Sequence, residues 1–313
     1  MNGNAENHYS GPSGRNRWKL IGIIVVAVVS VGGLLLVMGF LRQFFGDKTG
    51  SSETTAQNTI APAHHEDWAA YLSTIDNDKV GAIVVDLGLK PIVPVKDRLN
   101  RLRIDITMKF PGPNGLPSTQ EFEKLNDIDE KLSNSLASKN GAVYAGHLNC
   151  QGKLSLYHYV GDVALFDPTI SETMTEFPDY KYEYRVDREE DWKSYTELLY
   201  PLPIQMQSIH NQKVVEQLKS QGDKLEKVRP VNHLIYFKNK SDLEHFLTEI
   251  KGKGFKVLKK QPVNDGEYKM ILSLERNDPV DSQSVDDYVL YLWQKAQDAH
   301  GDYDGWGSSI VKE

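Results

Sequence analysis

Leu102-Arg103-Ile104-Asp105-Ile106-Thr107-Met108-Lys109-Phe110 decides how this chain folds. Apolar and polar side chains alternate, which is the period of a strand with one buried face and one wet face. Pro111-Gly112-Pro113-Asn114-Gly115 ends it as a turn. Ser118 and Glu121 then stand at capping-box spacing. Phe122, Leu125, Ile128, Leu132 and Leu136 make one helical stripe, and Gly141 marks its stop. Ala142–Asn149 and Leu154–Val160 read as two strands joined across Gln151-Gly152. A helix follows Asp167-Pro168, and Tyr180, Tyr182, Tyr184 and Val186 line one face of a last strand. Two strand-like runs, Trp68–Ser73 and Val80–Asp86, come first. The order is β-α-β-β-α-β with extra strands in front.

The second half repeats that order. Pro203–Gln221 is a leading helix, and His233–Phe237 is a strand. Ser241 and Glu244 have capping-box spacing ahead of the stripe Leu243, Phe246, Leu247 and Ile250. Phe255–Leu258 and Tyr268–Glu275 are strands. Ser284 caps a helix bearing Val285, Val289, Leu292, Trp293 and Ala296, which ends at Gly301, and Tyr303–Val311 closes the set. The pattern predicts an α+β chain with two tandem ferredoxin-like α/β sandwiches, each with helices on one sheet face. The expected domains are 67–190 and 191–313. Trp192, Tyr195, Leu198, Leu199 and Tyr200-Pro201 form an apolar joint expected to pack the halves together.

Leu20 to Phe40 contains no charged residue and is mostly apolar. A helix of that length spans about 30 Å, the hydrocarbon thickness of a bilayer. Arg15, Arg17 and Lys19 flank it on one side, and Arg42 and Lys48 on the other. Trp18, Phe44 and Phe45 occupy interfacial positions. The reading is a tail (1–19), one N-terminal transmembrane helix (20–40) and a flexible Gly/Ser/Thr-rich linker (41–66). A secretory leader would be shorter and closely followed by a cleavage site. Three basic residues before the run and two after it lean toward an inside N-terminus. The expected location is a bacterial inner (plasma) membrane.

The chain carries a net charge of −7. Residues 1–48 hold five Lys/Arg and two Asp/Glu, so the remainder carries 31 against 41, or −10. That balance argues against direct nucleic-acid binding, which needs a basic footprint. The single cysteine, Cys150, excludes an intrachain disulfide.

Catalytic constellations are not legible. There is no phosphate loop, no H-E-x-x-H and no cysteine pair. His147, Cys150 and His158 fall on one predicted hairpin, but the two histidines share parity with Val143, Ala145, Leu154 and Leu156. They are therefore expected as partly buried sheet residues, not ligands. His64-His65 is expected as exposed linker. Asp302-x-Asp304-Gly305 lacks the later ligands of a calcium loop and reads as a turn. No metal and no cofactor is expected. Lys251, Lys253, Lys256, Lys259 and Lys260 form a basic patch, either a contact to phosphate or lipid headgroups or a solvated face. Asp302, Tyr303, Asp304 and Trp306, framed by glycines, are candidate partner-binding residues, with Trp306 also open to a core role.

Asp302-Tyr303-Asp304-Gly305-Trp306-Gly307 is similar to the closing motif of the B-type regulators of ribonuclease E activity. Val85-Asp86-Leu87-Gly88-Leu89, Phe177-Pro178-Asp179-Tyr180 and Asp191-Trp192 with Tyr200-Pro201 resemble a bacterial domain of unknown function, family 695, often fused ahead of the regulator. Asn211, Val214, Leu218, Gly222-Asp223, Leu225, Arg229, Val231, His233 and Tyr236-Phe237 fit that fusion. The resemblance implies a small acidic α+β protein that binds and inhibits its ribonuclease and has no catalytic activity. This chain ends at Val311-Lys312-Glu313 without the regulators' acidic extension. The expectation is a membrane-anchored, non-enzymatic binding or regulatory protein with a protein partner. Ribonuclease E qualifies only if the soluble part is cytoplasmic. A membrane-tethered enzyme using His147, His158 or the Asp302/Asp304 pair, and an oligomerising envelope assembly module, stand as alternatives.

Overall fold

A computed structural model describes residues 64–76, 78–162 and 166–312. The predicted tail, the apolar run at 20–40 expected to span a membrane and nearly all of the predicted linker lie outside the described residues. Among the described residues no helix is long and apolar enough to cross a membrane. The chain forms two tandem domains of mixed α/β structure, each built on an antiparallel sheet.

The first sheet has the order β1-β2-β4-β5-β3-β6. Its strands are β1 (Trp68–Ile75), β2 (Lys79–Asp86), β3 (Asn100–Thr107), β4 (Val143–Cys150), β5 (Lys153–Val160) and β6 (Tyr182–Arg188). Helix α1 (Thr119–Asn140) follows β3, and α2 (Phe166–Met174) follows β5. Leu102, Ile104 and Ile106 are fully buried and face the α1 stripe of Leu125, Ile128, Leu132 and Leu136. The β4–β5 turn puts Gln151 and Gly152 at positive φ (51° and 74°), as a two-residue hairpin requires.

β3 stops at Thr107, short of the alternation that continues to Phe110. The Glu121 carboxylate accepts hydrogen bonds from the backbone N–H of Lys109 (2.8 Å) and of Phe110. Those donors leave the ladder, and Phe110 turns half into solvent. Glu121 therefore does not serve a capping box, and the Ser118 side chain makes no cap bond although Ser118 occupies the N-cap. Gly141 does end α1, at φ 59°.

The other face of this sheet is covered too. Trp192 sits at φ 54°, a rare conformation for a bulky residue. There its indole stacks on Tyr159 at 3.6 Å and 4°. Trp192, Tyr195 and Leu199 pack with Val85, Val143, Ala145 and Tyr157. Glu189 fixes this layer, accepting from Tyr159 Oη (2.5 Å), Ser194 N (2.8 Å) and Arg101 Nη1 (3.0 Å). The apolar joint is thus a second face for the first domain, where helices on one face alone were expected.

The second sheet has the order β10-β7-β9-β8. Its strands are β7 (Arg229–Phe237), β8 (Lys256–Asp265), β9 (Tyr268–Asp278) and β10 (Gly301–Ser308). Helices α3 (Pro203–Ser220), α4 (Lys240–Glu249) and α5 (Ser282–Asp298) accompany it. Val231, Ile235, Phe237, Leu272 and Leu274 pack with Leu243, Phe246, Val285, Val289, Leu292 and with Val215 and Leu218 of α3. Numbered from β7, the strands lie fourth, first, third, second. The strands β3 to β6 of the first sheet lie in that same order, with β2 and β1 added beyond β4.

Two helix starts differ from expectation. Asn239, not Ser241, caps α4, accepting from Asp242 N at 2.9 Å. Asp281 caps α5, accepting from both Ser284 N (3.0 Å) and Ser284 Oγ (2.7 Å). In both cases the acceptor nearer the turn wins, because a cap must precede the first orphan N–H. Helix α5 ends at Asp298, and His300 at φ 54°, not Gly301, makes the left-handed turn. The two domains are connected through α3. Its Ile209 packs with the first domain and its Val215 with the second. Lys213 Nζ reaches Asp67 Oδ1 at 2.6 Å, and Gln205 Nε2 donates to Ser73 Oγ at 3.1 Å.

Candidate functional site

The candidate motif lies on β10, and a bulge sorts its residues onto two faces. The β10–β7 register runs regularly through Tyr303–Ile235, then shifts so that Gly305 faces Leu234 and Trp306 faces His233. Asp304 is the extra residue, and it is exposed. Without that shift Tyr303 and Trp306 would point opposite ways. With it, both turn toward the helices, while Asp302, Gly305 and Gly307 share the open face with Tyr236, Leu234 and Asn232.

Tyr303 is buried, and its hydroxyl meets His233 Nδ1 at 2.7 Å. Burial, with Arg276 nearby, lowers the His233 pKa to about 3, so the ring is neutral near pH 7. Trp306 packs half-buried against the second core. Its Nε1 donates to Asn211 Oδ1 on α3 at 3.1 Å. Asn211 in turn donates to Asp286 Oδ1 on α5 at 2.8 Å, and Ser208 Oγ donates to the other Asp286 oxygen. Burial raises the Asp286 pKa, against the pull of those two donors. This network joins β10, α3 and α5. Asn211, Ser208 and Asp286 were not singled out from the sequence as a network, because nothing in their spacing marks three polar residues as neighbours.

Asp302 is half-buried and accepts from the Tyr268 hydroxyl at 3.3 Å. Asp302 and Asp304, with the glycine backbone beside them, are what the motif offers outward. A side chain added at Gly305 or Gly307 would meet nothing within 4 Å, so this stretch is unobstructed.

The two first-domain histidines do converge, but in the core. A bulge at Ala145 shifts β4 by one residue, so His147 faces α1 with Tyr144 and His158, away from Val143 and Ala145. Asp129 Oδ2 of α1 sits 2.9 Å from His147 Nδ1 and accepts from Tyr144 Oη at 2.9 Å. Ser133 Oγ lies 3.1 Å from both Asp129 Oδ1 and His158 Nε2. Burial lowers the His158 pKa to about 4, against the attraction of Asp129. Burial alone would raise the Asp129 pKa, but His147 and Tyr144 outweigh it and hold the carboxyl low. Both histidines are at most 1% exposed. The Asp302/Asp304 pair is on the other sheet. Serine, histidine and aspartate thus meet here as a packed polar cluster under a helix. Gly146, at φ 139°, completes the bulge: a Cβ there would lie 2.1 Å from Val84 O. His64, expected as exposed linker, instead places Nε2 2.5 Å from the buried Asp86 carboxylate. Among the described residues no group of three His/Cys/Asp/Glu is arranged to hold a metal.

The five lysines remain on one stretch. Lys256, Lys259 and Lys260 lie on β8, an edge strand exposed from Lys256 to Lys260. Lys251 and Lys253 lie in the turn before it. Lys260 Nζ pairs with Glu244 at 3.0 Å, and Lys253 lies over the Tyr291 ring at 5.8 Å. A cavity of about 380 Å³ opens beside Lys253, Arg276, Asp278, Asp287, Tyr288 and Tyr291. Its Arg276 is already held by both oxygens of Asp278, at 2.7 and 3.0 Å.

Residues 66–200 match the model of a family of unknown function, DUF695. Residues 208–308 match the family described as regulator of ribonuclease activity B. The chain thus carries the two matches in tandem, with α3 straddling their junction. No curated protein matches it. Among solved structures, an unknown protein from Galdieria sulphuraria matches at 9% identity, covering 68% of this chain and 99% of its own, with a TM-score of 0.18. Likeness at that level carries no argument.

Proposed function

We propose that this chain is a non-enzymatic regulatory protein that binds a protein partner through its second domain and is held at a membrane by residues 20–40. The observation that carries the reading is the match of residues 208–308 to the ribonuclease-regulator family. That span forms a sheet whose second face is uncovered by any helix among the described residues and is bordered by the acids and glycines of the closing motif. We read both sheets as ferredoxin-like, from their element order and strand order. Ribonuclease E is the first partner to test if the described residues lie on the cytoplasmic side of an inner membrane. The −10 charge of residues 49–313 favours a basic surface on that partner. A membrane-tethered enzyme is not favoured: its histidines are core residues.

The test has two stages. Protease is added to intact spheroplasts carrying the full chain, then to lysed ones. If residues 66–313 are protected until lysis, capture of the detergent-solubilised chain should recover ribonuclease E and reduce its cleavage rate. Digestion in intact spheroplasts removes the ribonuclease from consideration and leaves an envelope partner. Recovery of no protein in either case refutes the binding reading.

A further inference from the structure

The β8 strip combines features that a solvated face does not need. From Ile250 to Val263 the chain has five lysines and no acid, within a soluble part that is otherwise acidic. Lysine on an edge strand commonly guards against strand pairing. Here, however, Val257 and Leu258 are left 40% and 44% exposed between those lysines. The β8–β9 register skips Leu258, which bulges out of the ladder. Lys251 and Lys253 extend the charge beyond the strand, into a turn where Gly252 and Gly254 sit at positive φ.

We infer that this strip, centred on Lys256, Leu258 and Lys259, docks on an anionic bilayer surface. The inference rests on the membrane anchor proposed above. Residues 41–63 separate the apolar run from His64, so only 23 residues of sequence lie between the proposed anchor and the described residues. A linker that short raises the effective concentration of the strip at the bilayer that the anchor would occupy. Once the strip turns toward the bilayer and comes within a Debye length of the headgroups, about 10 Å, its lysine cluster meets the negative surface potential, and each lysine at the surface strengthens partition about fivefold. Val257 and Leu258 supply the apolar contact that such a surface accepts at the headgroup boundary. The counter-charges are few: Glu244 engages Lys260, Glu275 lies opposite Lys256 on β9, and Glu249 is held by Lys295.

The test uses the full chain with Cys150→Ser and a polarity-sensitive dye on Leu258→Cys, reconstituted into vesicles. One set is phosphatidylcholine alone, the other contains 30% phosphatidylglycerol. The dye should be shielded from an aqueous quencher only on the anionic vesicles, and 0.5 M salt should release it. Lys256→Glu with Lys259→Glu should weaken the shielding at least tenfold with an unchanged melting temperature, both side chains being exposed. A dye on Glu123→Cys in the first domain should stay accessible throughout. Vesicle flotation after alkaline wash reads the anchor separately. A chain that floats while the dye stays water-exposed on both vesicles overturns the docking strip and leaves the anchor intact. A chain that does not float removes the tether and overturns both. Shielding that follows added acidic polypeptide and ignores lipid charge assigns the strip to a protein, and overturns the inference.

Discussion

Among the described residues the first sheet is packed on both faces and the second on one, although β3–β6 and β7–β10 lie in the same order. In the first, Tyr157 and Tyr159 face away from α1 and meet Trp192, Tyr195 and Leu199. In the second, the equivalent outward positions are Asn232, Leu234, Tyr236, Ile271 and Ser273, which are half-buried or exposed with no helix packed on them among the described residues. One strand order thus supports two uses. A face lined with large aromatic side chains must be covered, because leaving them in water forfeits the burial that drives folding. A face that mixes apolar, small and polar residues tolerates solvent and stays open to a partner.

The sharpest way to break that comparison is Trp192→Ala. It removes the stacked indole and its hydrogen bond to Arg98 O (2.8 Å), and should cost about 3–5 kcal/mol in chemical denaturation. A cost below about 1 kcal/mol would mean that the second layer is not integral to the first domain. Asp223→Ala probes the second domain at similar size. It strands the buried Arg229 guanidinium, now 2.5 Å from Asp223, and frees the Val311 N–H, so about 3 kcal/mol should be lost.

Acid tests both cores together. His158 and His233 have folded pKa values lowered to about 4 and about 3. Both stay neutral when folded, while the unfolded chain takes up protons below about 6.5. Their contribution is therefore complete above pH 6.5 and is lost as pH falls toward 4 and then 3. The slope of unfolding free energy against pH should approach about 2.7 kcal/mol per unit in that window, the limit for two protons. His158→Gln should roughly halve it. An unchanged slope would show that the first-domain histidine is protonated in the fold.

Asn211→Ala should cost about 1–3 kcal/mol by unpairing the Trp306 indole and Asp286. The smallest stability effect belongs to the open face. Asp304→Ala should change stability by less than about 0.5 kcal/mol while weakening capture of the partner. Trp306→Phe should do the reverse, since Trp306 is bound inward. Loss of capture by Trp306→Phe at full stability would restore the indole as an anchor.

Much of the fold was legible because burial imposes periods on sequence. Leu102, Ile104 and Ile106 on β3, and the stripe from Phe122 to Leu136 on α1, carry that period directly. So does the order of elements, repeated in each half. Local chemistry also reads through: Gly141 ends α1 because a left-handed turn there favours glycine. What failed were positions where a distant group competes with a local one. Glu121 bonds backbone eleven and twelve residues upstream in preference to a capping box. Parity counting misplaced His147, and left Trp306 undecided, because a bulge adds one residue and turns over every side chain after it.

The two β-α-β-β-α-β halves, the acidic balance and the two resemblances are legible in the order of residues alone, because these depend on local pattern, composition and motif. So is the apolar run at 20–40. Long-range packing sets the rest: Trp192 closes the first domain, Tyr303 and Trp306 point inward, and Asn211 and Asp286 meet across α3 and α5. Each depends on a bulge, a positive φ or a contact between elements, and none of these leaves a period in the chain.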